Sequence, residues 1–219
     1  MNLEANPKEN LFGKIWRKIK KPLMWLIGIY IILLLIRLPS FLEEQKTAKT
    51  VEFIESKVIT MADVTGENLP ISPNPREVNV TIEGVDANGN WIRDDVELEI
   101  FKRYPDDAVI RSAMLQYAMG LQLYLTQVFN SETWIAAVEQ EARGGSCVFQ
   151  TAPDVSPENT DEEVRVAFKI GRDRTEEVEN LVLNTENRKN KESEIDRKYT
   201  TSFGIDNVEV CDISLSLLK

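Results

Sequence analysis

The sequence predicts a mainly α-helical protein, with an N-terminal transmembrane helix followed by an extracytoplasmic helical domain that carries one or two short β-strands. Three observations lead there. The stretch Pro22 to Leu42, PLMWLIGIYIILLLIRLPSFL, is apolar apart from Arg37 and has the length a bilayer requires. Most of the chain beyond it repeats apolar residues at the three- and four-residue steps of amphipathic helices. Capping signatures such as Asn6-Pro7-Lys8-Glu9 and Thr160-Asp161-Glu162-Glu163 mark where those helices begin. The chain accordingly divides into a basic cytoplasmic segment 1–21, an anchor 22–42, a helical stalk with a Pro-rich connector 43–76, and an extracytoplasmic helical domain 77–219.

Within the anchor, Pro22 through Ile36 carry no charge, and Arg37 can lay its aliphatic stem along the helix while its guanidinium reaches the headgroups. Ahead of it, Lys8, Lys14, Arg17, Lys18, Lys20 and Lys21 face only Glu4 and Glu9, so the positive-inside rule keeps the N-terminus cytoplasmic. A cleaved signal peptide is the rival reading, but the exit RLPSFLEEQ lacks small residues at a cleavage site and the preceding segment is long for an n-region. A buried core helix would have to tolerate the cations clustered just upstream. The helix opened by Asn6 places Leu11, Phe12, Ile15, Trp16 and Ile19 opposite its lysines, which suits either a helix lying in the anionic inner leaflet or simple topogenic charge.

Charge and composition exclude several functions. The formal net charge is −10, yet residues 1–21 contribute +4 and Arg37 one more, which leaves −15 after the anchor. So acidic a domain is repelled by phosphate backbones, which argues against nucleic-acid partners and in favour of cations. Histidine is absent, and with it the commonest general base, the usual zinc ligand and every Ser-His or Cys-His nucleophile. Cys147 and Cys211 are too few for a Cys-rich zinc site. Beyond the membrane they make one plausible disulfide, whose loop of about 65 residues would contribute roughly 4 kcal/mol in the chain-entropy model. Two buried free thiols are the alternative.

After the anchor, Glu43 to Ala62 keeps a helical pattern through Val51, Ile54, Val58 and Met61, a stripe expected to pack on its own domain. Gly66 to Pro75, with three prolines, reads as an extended connector, and Val78, Val80 and Ile82 alternate as a short strand. Val96, Ile100 and Tyr104 share one face of a helix that Pro105 stops. Asp106 and Asp107 suit the start of the next helix, Ala108 to Phe129, which is apolar around most of its circumference and so predicts the most buried element. Arg111, Gln116, Gln122 and Gln127 argue against a second membrane span there. Asn130 caps a helix that Gly144-Gly145 should end, and Thr151 to Asn159 is a loop. The capping box at Thr160 opens a long helix with a docking stripe of Val164, Phe168, Gly171, Thr175, Val178 and Val182. The polar run from Asn184 breaks or frays it, and Ile195, Tyr199 and Phe203 form a second stripe closed by Gly204. Val208, Val210, Ile213, Leu215 and Leu217 suggest a terminal strand that could pair with Val78 to Ile82.

One stretch carries chemistry. From Asp86 to Glu97, oxygen-bearing side chains fall at positions 1, 3, 5, 9 and 12 of a twelve-residue loop running into a helix. A hard cation of calcium's size takes six to eight oxygens near about 2.4 Å, which a tight loop can supply only from alternate residues. Asp86, Asn88 and Asn90 would offer side-chain oxygens, Ile92 its carbonyl, Asp94 a direct or water-bridged contact, and Glu97 a bidentate carboxylate. Through Asp86, Asn88, Asn90, Arg93, Asp94, Asp95 and Glu97 the stretch resembles the EF-hand-like single calcium loops of bacterial extracytoplasmic proteins, the dockerin and thrombospondin type 3 kinds. The resemblance covers residues 86–97 and implies calcium coordination that pins the loop to the following helix. It also implies a bacterial inner-membrane protein with a periplasmic domain. Trp91 departs from the pattern by replacing the glycine at position 6, where the sharp turn favours positive φ. With Asn88 and Asn90 neutral as well, the expected affinity is weak, about 10⁻⁴ to 10⁻³ M. A loop that keeps the turn without the ion is the alternative, with Asp86 capping and Asp94 and Asp95 favouring a helix start.

These observations point to a membrane-anchored, calcium-binding, non-enzymatic interaction or assembly module of the cell envelope, with other envelope or membrane proteins as partners. Two alternatives stand beside it. One is a carboxylate-dependent cell-wall glycoside hydrolase using Glu139 or Glu141 beside Asp94. The other is a partner-dependent sensor, since residues 1–21 are too short to signal alone. The sequon Asn79-Val80-Thr81 matters only in a host that glycosylates.

Overall fold

The helix Ala108–Gln127 (α4) is buried on every face from Arg111 to Leu125, as its apolar circumference predicts, and the rest of its unit is built around it. The computed structural model describes residues 9–199 and 209–218, the side chains of 9–14 and Arg17 excepted. The chain forms two compact units, 1–48 and 49–219.

Unit 1 consists of the greater part of α1 (Glu9–Glu55), which contains Pro22 and Pro39. It includes the one helix among the described residues that is long and apolar enough to cross a membrane, and the large apolar side chains from Ile29 to Ile36 are exposed along it. The capping residues Asn6, Pro7 and Lys8 lie outside the described residues.

In unit 2, α1 ends at Glu55 rather than running on to Ala62. The expected stripe therefore dissolves: Ile54 is buried, whereas Val58 and Met61 are exposed. Gln140 donates to the terminal carbonyls of Ile54 and Glu55 at 3.2 and 3.4 Å, so the helix end is satisfied inside the domain. A short helix α2 (Met61–Thr65) comes next, its capping box formed by Thr60 and Asp63. After an irregular stretch come α3 (Asp94–Arg103), α4, α5 (Ser131–Phe149), α6 (Asp161–Val182), α7 (Glu186–Lys198) and a 3₁₀ turn at Leu215–Leu218.

The caps at Asp107, Asn130 and Thr160 stand where the sequence puts them. Gly144-Gly145 does not end α5, which continues to Phe149. A Cβ on Gly144 would lie 2.7 Å from the Tyr117 Cα, and one on Gly120 would lie 2.8 Å from the Glu141 Cα. These glycines let α4 and α5 touch backbone to backbone, which is worth more than the roughly 1 kcal/mol of helix propensity they sacrifice. In α6 the buried residues are Ala167, Gly171, Thr175, Val178 and Val182, while Phe168 is exposed. The polar run beyond Asn184 is a separate helix, α7, capped by Thr185. Phe203, Gly204 and Val208 lie outside the described residues.

Neither expected strand forms among the described residues: 78–82 is a series of turns and 209–214 is irregular. Their backbone groups find side chains instead of a ladder. Arg188, fully buried on α7, donates to the carbonyls of Val78 (2.8 Å), Thr81 (3.1 Å) and Ile82 (3.0 Å) and to the Asn79 and Asn184 side chains. Gln122 of α4 donates to the Glu83 carbonyl at 2.8 Å. At the other end, Gln116 donates to the Val210 carbonyl (2.7 Å) and accepts from the Asp212 N–H (2.9 Å). Gln116 and Gln122 thus fasten loops to α4. Arg111 completes the set, donating to the carbonyls of Val64, Tyr104 and Pro105 at 2.7–2.9 Å.

Cys147 and Cys211 lie at disulfide distance, with Sγ atoms 2.11 Å and Cα atoms 5.0 Å apart. Together with Gln116 and the ion pair of Arg143 with buried Asp212 (2.8 Å), they hold the C-terminal segment on α4 and α5. Asp212 also accepts the Ile59 N–H at 3.0 Å, which ties that segment to the chain just before α2.

Candidate functional site

The loop 86–93 turns on its own carboxylate. Asp86 accepts the N–H of Gly89 (2.8 Å) through Oδ1 and that of Trp91 (3.0 Å) through Oδ2. Asn88 Oδ1 accepts the Asn90 N–H (3.3 Å), and Asn90 Oδ1 accepts the Ile92 N–H (3.0 Å), so each alternate side chain stabilises the next bend. Trp91, which stands where the calcium-loop pattern has glycine, has φ +66°, and it is the one non-glycine with positive φ among the described residues. The backbone turn is kept although the glycine is gone. A side chain in that region costs about 1–2 kcal/mol. The Trp91 ring packs edge-on against Phe53 at 4.7 Å with Lys57 over both rings, contacts that a glycine would forfeit.

At the far end, Arg93 is buried and forms a two-pronged pair with Asp95 (2.9 and 2.7 Å). Its remaining N–H groups reach the carbonyls of Val182 (2.8 Å) and Leu181 (3.2 Å), the orphan acceptors at the C-terminal end of α6. Asp95 is therefore spoken for by an arginine. Ile92 buries its side chain in the core.

Asp94 and Glu97 differ from the other acids. Asp94, 1% exposed, accepts the Ala87 N–H through Oδ1 at 2.9 Å, and Glu97, wholly buried, accepts from Asn88 Nδ2 through Oε2 at 3.0 Å. Their second oxygens, Asp94 Oδ2 and Glu97 Oε1, are buried without any hydrogen-bond partner. Two orphaned carboxylate oxygens in one loop are costly, because each forfeits its hydration without replacement. Burial pushes Glu97 up to about 7, aided by the charges of Asp63 and Asp94 and opposed by the Asn88 and Asn90 amides. Burial also raises Asp94, with the Ala87 N–H opposing and Asp86 and Asp95 adding to the rise.

A residue that sequence reasoning misses stands beside them. Asp63, buried at the start of α2, accepts through Oδ1 from Asn68 (3.0 Å) and Asn90 (3.4 Å), and through Oδ2 from the Thr60 N–H (2.8 Å) and hydroxyl (2.7 Å). Burial alone would raise Asp63, but the hydrogen bonds from Asn68, Thr60 and Asn90 outweigh it and hold the carboxyl below its ordinary range. Its distance of 23 residues from the loop leaves no spacing signal in the sequence.

Among the described residues, no three acidic side chains stand together as a group able to hold a metal by themselves. The donors that fit a hard cation here are mixed: carboxylates of Asp86, Asp94 and Glu97 with the amide oxygens of Asn88 and Asn90. Asp94 Oδ2 and Glu97 Oε1 are the two acceptors of this loop that are left without a donor.

Glu141 on α5 faces a different set of charges, those of Glu192, Asp196 and Glu179 on α6 and α7, whereas Asp94 answers to Asp86 and Asp95. Around Glu141, Tyr117 donates its hydroxyl to Glu179 at 2.7 Å and Tyr124 donates to Asp196. Burial pushes Glu141 up to about 7, and the neighbouring carboxylates push in the same direction.

Among the described residues the chain is a helical domain together with one helix long and apolar enough to cross a membrane. Comparisons with protein-family models, with curated proteins and with solved structures found no match to this chain.

Proposed function

We propose that this chain is a single-pass, membrane-anchored, non-enzymatic interaction or assembly module of a bacterial envelope. In this reading its N-terminus is cytoplasmic, its acidic helical domain is periplasmic, and loop 86–97 takes calcium weakly as a structural brace. The observation that carries the calcium reading is the pair of buried, partnerless oxygens on Asp94 and Glu97, in a loop whose position 6 keeps positive φ despite being Trp91. Asp86, Asn88, Asn90, the Ile92 carbonyl, Asp94 and Glu97 would hold the ion. When bound, calcium supplies the positive charge that offsets repulsion among the three carboxylates. The chain's own residues do the rest: Arg93 fastens the loop to the end of α6, and Trp91 fastens it to Phe53. The Cys147–Cys211 pair at disulfide distance supports an oxidising compartment, and the basic segment before the apolar helix supports the orientation.

Calorimetry of the full chain in nanodiscs tests the site, with calcium titrated into wild type and into a variant carrying Asp86→Ala and Glu97→Ala. Wild type should give saturable heat with a Kd of about 10⁻⁴ to 10⁻³ M, and the variant none. Equal heats, or none in wild type, refute the calcium reading, and a C-terminal reporter found in the cytosol refutes the orientation.

A further inference from the structure

The docking stripe expected along α6 splits in the structure: Gly171 is buried, whereas Phe168 is 60% exposed. The Phe149 ring at the end of α5 lies over Gly171, where a Cβ would stand 2.5 Å from Phe149 Cδ1. Phe149 meets Phe168 edge-on with ring centroids 6.1 Å apart, and the two rings line an open groove of about 380 Å³ together with Ala152, Val155 and Ala167. Arg174 fixes the outer wall by donating to the Thr151 carbonyl (2.9 Å) and hydroxyl (2.6 Å). Val155 and Val166 are exposed as well. Exposed apolar surface rimmed by charge marks an interaction site.

The charges around this groove differ in sign from one side to the other. Residues 151–163 hold Asp154, which lines the groove, and Glu158, Asp161, Glu162 and Glu163, with no cation. On α6, Arg165 and Arg172 stand three residues before and four after Phe168, and so bracket it on one helix face. Their ion pairs, Arg165 with Glu162 and Arg172 with Asp173 and Glu176, are exposed and hold the guanidinium groups only weakly. A purely basic partner would be repelled by Arg165 and Arg172, and a purely acidic one by Asp154 and Glu158. The surface that answers both signs is the same surface turned by a two-fold rotation, as an isologous contact requires.

We propose that this groove is the interface between two copies of the chain. Phe168 of each copy seats against Phe149 and Val155 of the other, and Arg165 and Arg172 face Asp154 and Glu158 of the other copy. Anchored in one bilayer, copies meet at high effective concentration, so a modest contact is enough. Nothing in this interface depends on loop 86–97.

Sedimentation equilibrium of the full chain in density-matched micelles measures the association, and p-benzoylphenylalanine in place of Phe168, photo-activated in a mixture of light and nitrogen-15-labelled chains, locates it. Wild type should dimerise, and the cross-link should join a light chain to a heavy one within 149–158. Phe168→Ser should weaken dimerisation about tenfold or more, since it removes a central aromatic anchor. Phe168 is exposed in the single copy, so the fold survives that change, and an unaltered melting temperature checks this. Arg165→Glu with Arg172→Glu should weaken association comparably, and adding Asp154→Lys and Glu158→Lys to that variant should restore it to within about threefold, because the signs are then merely exchanged. A monomeric wild type overturns the interface, as do dimers indifferent to Phe168→Ser or a charge reversal that the second pair of changes fails to rescue. Cross-links confined to single chains, or made in native membranes only to a different protein, overturn it too.

Discussion

Replacing Glu141 with Gln should stabilise the domain at neutral and alkaline pH and flatten part of its pH dependence. Glu141 is raised from near 4.5 to about 7, first by burial and then by the charges of Glu192, Asp196 and Glu179. A group whose folded value lies above its unfolded value contributes stability that is fully present below the unfolded value, here about 4.5, and is lost as pH rises through the folded value, here about 7. At about 1.36 kcal/mol per pH unit, that gap corresponds to a ceiling of about 3 kcal/mol. Asp196 lies on the exposed side of the cluster, where water screens part of the repulsion, so about 2 kcal/mol is the expected gain for the variant at pH 8. Gln keeps the shape of the side chain and removes the charge, and the close approach of Gly120, which is to the backbone at 140–141, is untouched. Urea unfolding of wild type and variant in micelles at pH 5, 6, 7 and 8 reads this gain together with the relief that Glu192, Asp196 and Glu179 take from the lost charge at 141. The reasoning is refuted if the two unfold alike at pH 8, or if the difference between them does not grow from pH 5 to pH 8.

Two further predictions concern what holds the irregular segments. Substituting both Cys147 and Cys211 with Ser should lower stability by about 4 kcal/mol, the loop-closure entropy of a 64-residue separation; denaturation with and without reductant checks it, and wild type should respond to reductant while the variant does not. Arg188→Met should cost about 3 kcal/mol, because it strands the buried carbonyl of Val78 and the part-buried carbonyls of Thr81 and Ile82. Hydrogen exchange should then quicken across 77–84 before it does so in α4, and uniform quickening would argue that the segment is held by something else.

The helices were legible because their signals are local. The caps at Asp107, Asn130 and Thr160 and the apolar circumference of α4 can each be read within a single turn or two of chain. The strands were misread for a related reason. Val78, Val80 and Ile82 alternate in sequence, but their environments do not: Val78 is buried, Val80 exposed and Ile82 half-buried, in turns held by Arg188 and Gln122. Gly144 was misread because glycine near a helix end has two uses, and the close approach to Tyr117 that decides between them comes from another helix. Trp91 looked like a defect in the loop until its ring was seen against Phe53, which lies 38 residues earlier.

The sequence by itself determined the apolar helix, the positions of most helices, the cysteine pair and the spacing of oxygens from Asp86 to Glu97, because each is a matter of residue type at short range. Tertiary structure alone decided which polar groups are buried: that Arg93, Arg111 and Arg188 clamp carbonyls, that Asp94 and Glu97 each bury an oxygen without a partner, and that Asp63 stands at the loop. Burial is a property of what surrounds a side chain, and the cost of leaving a charge or a carbonyl unpaired exists only once distant parts of the chain have closed over it.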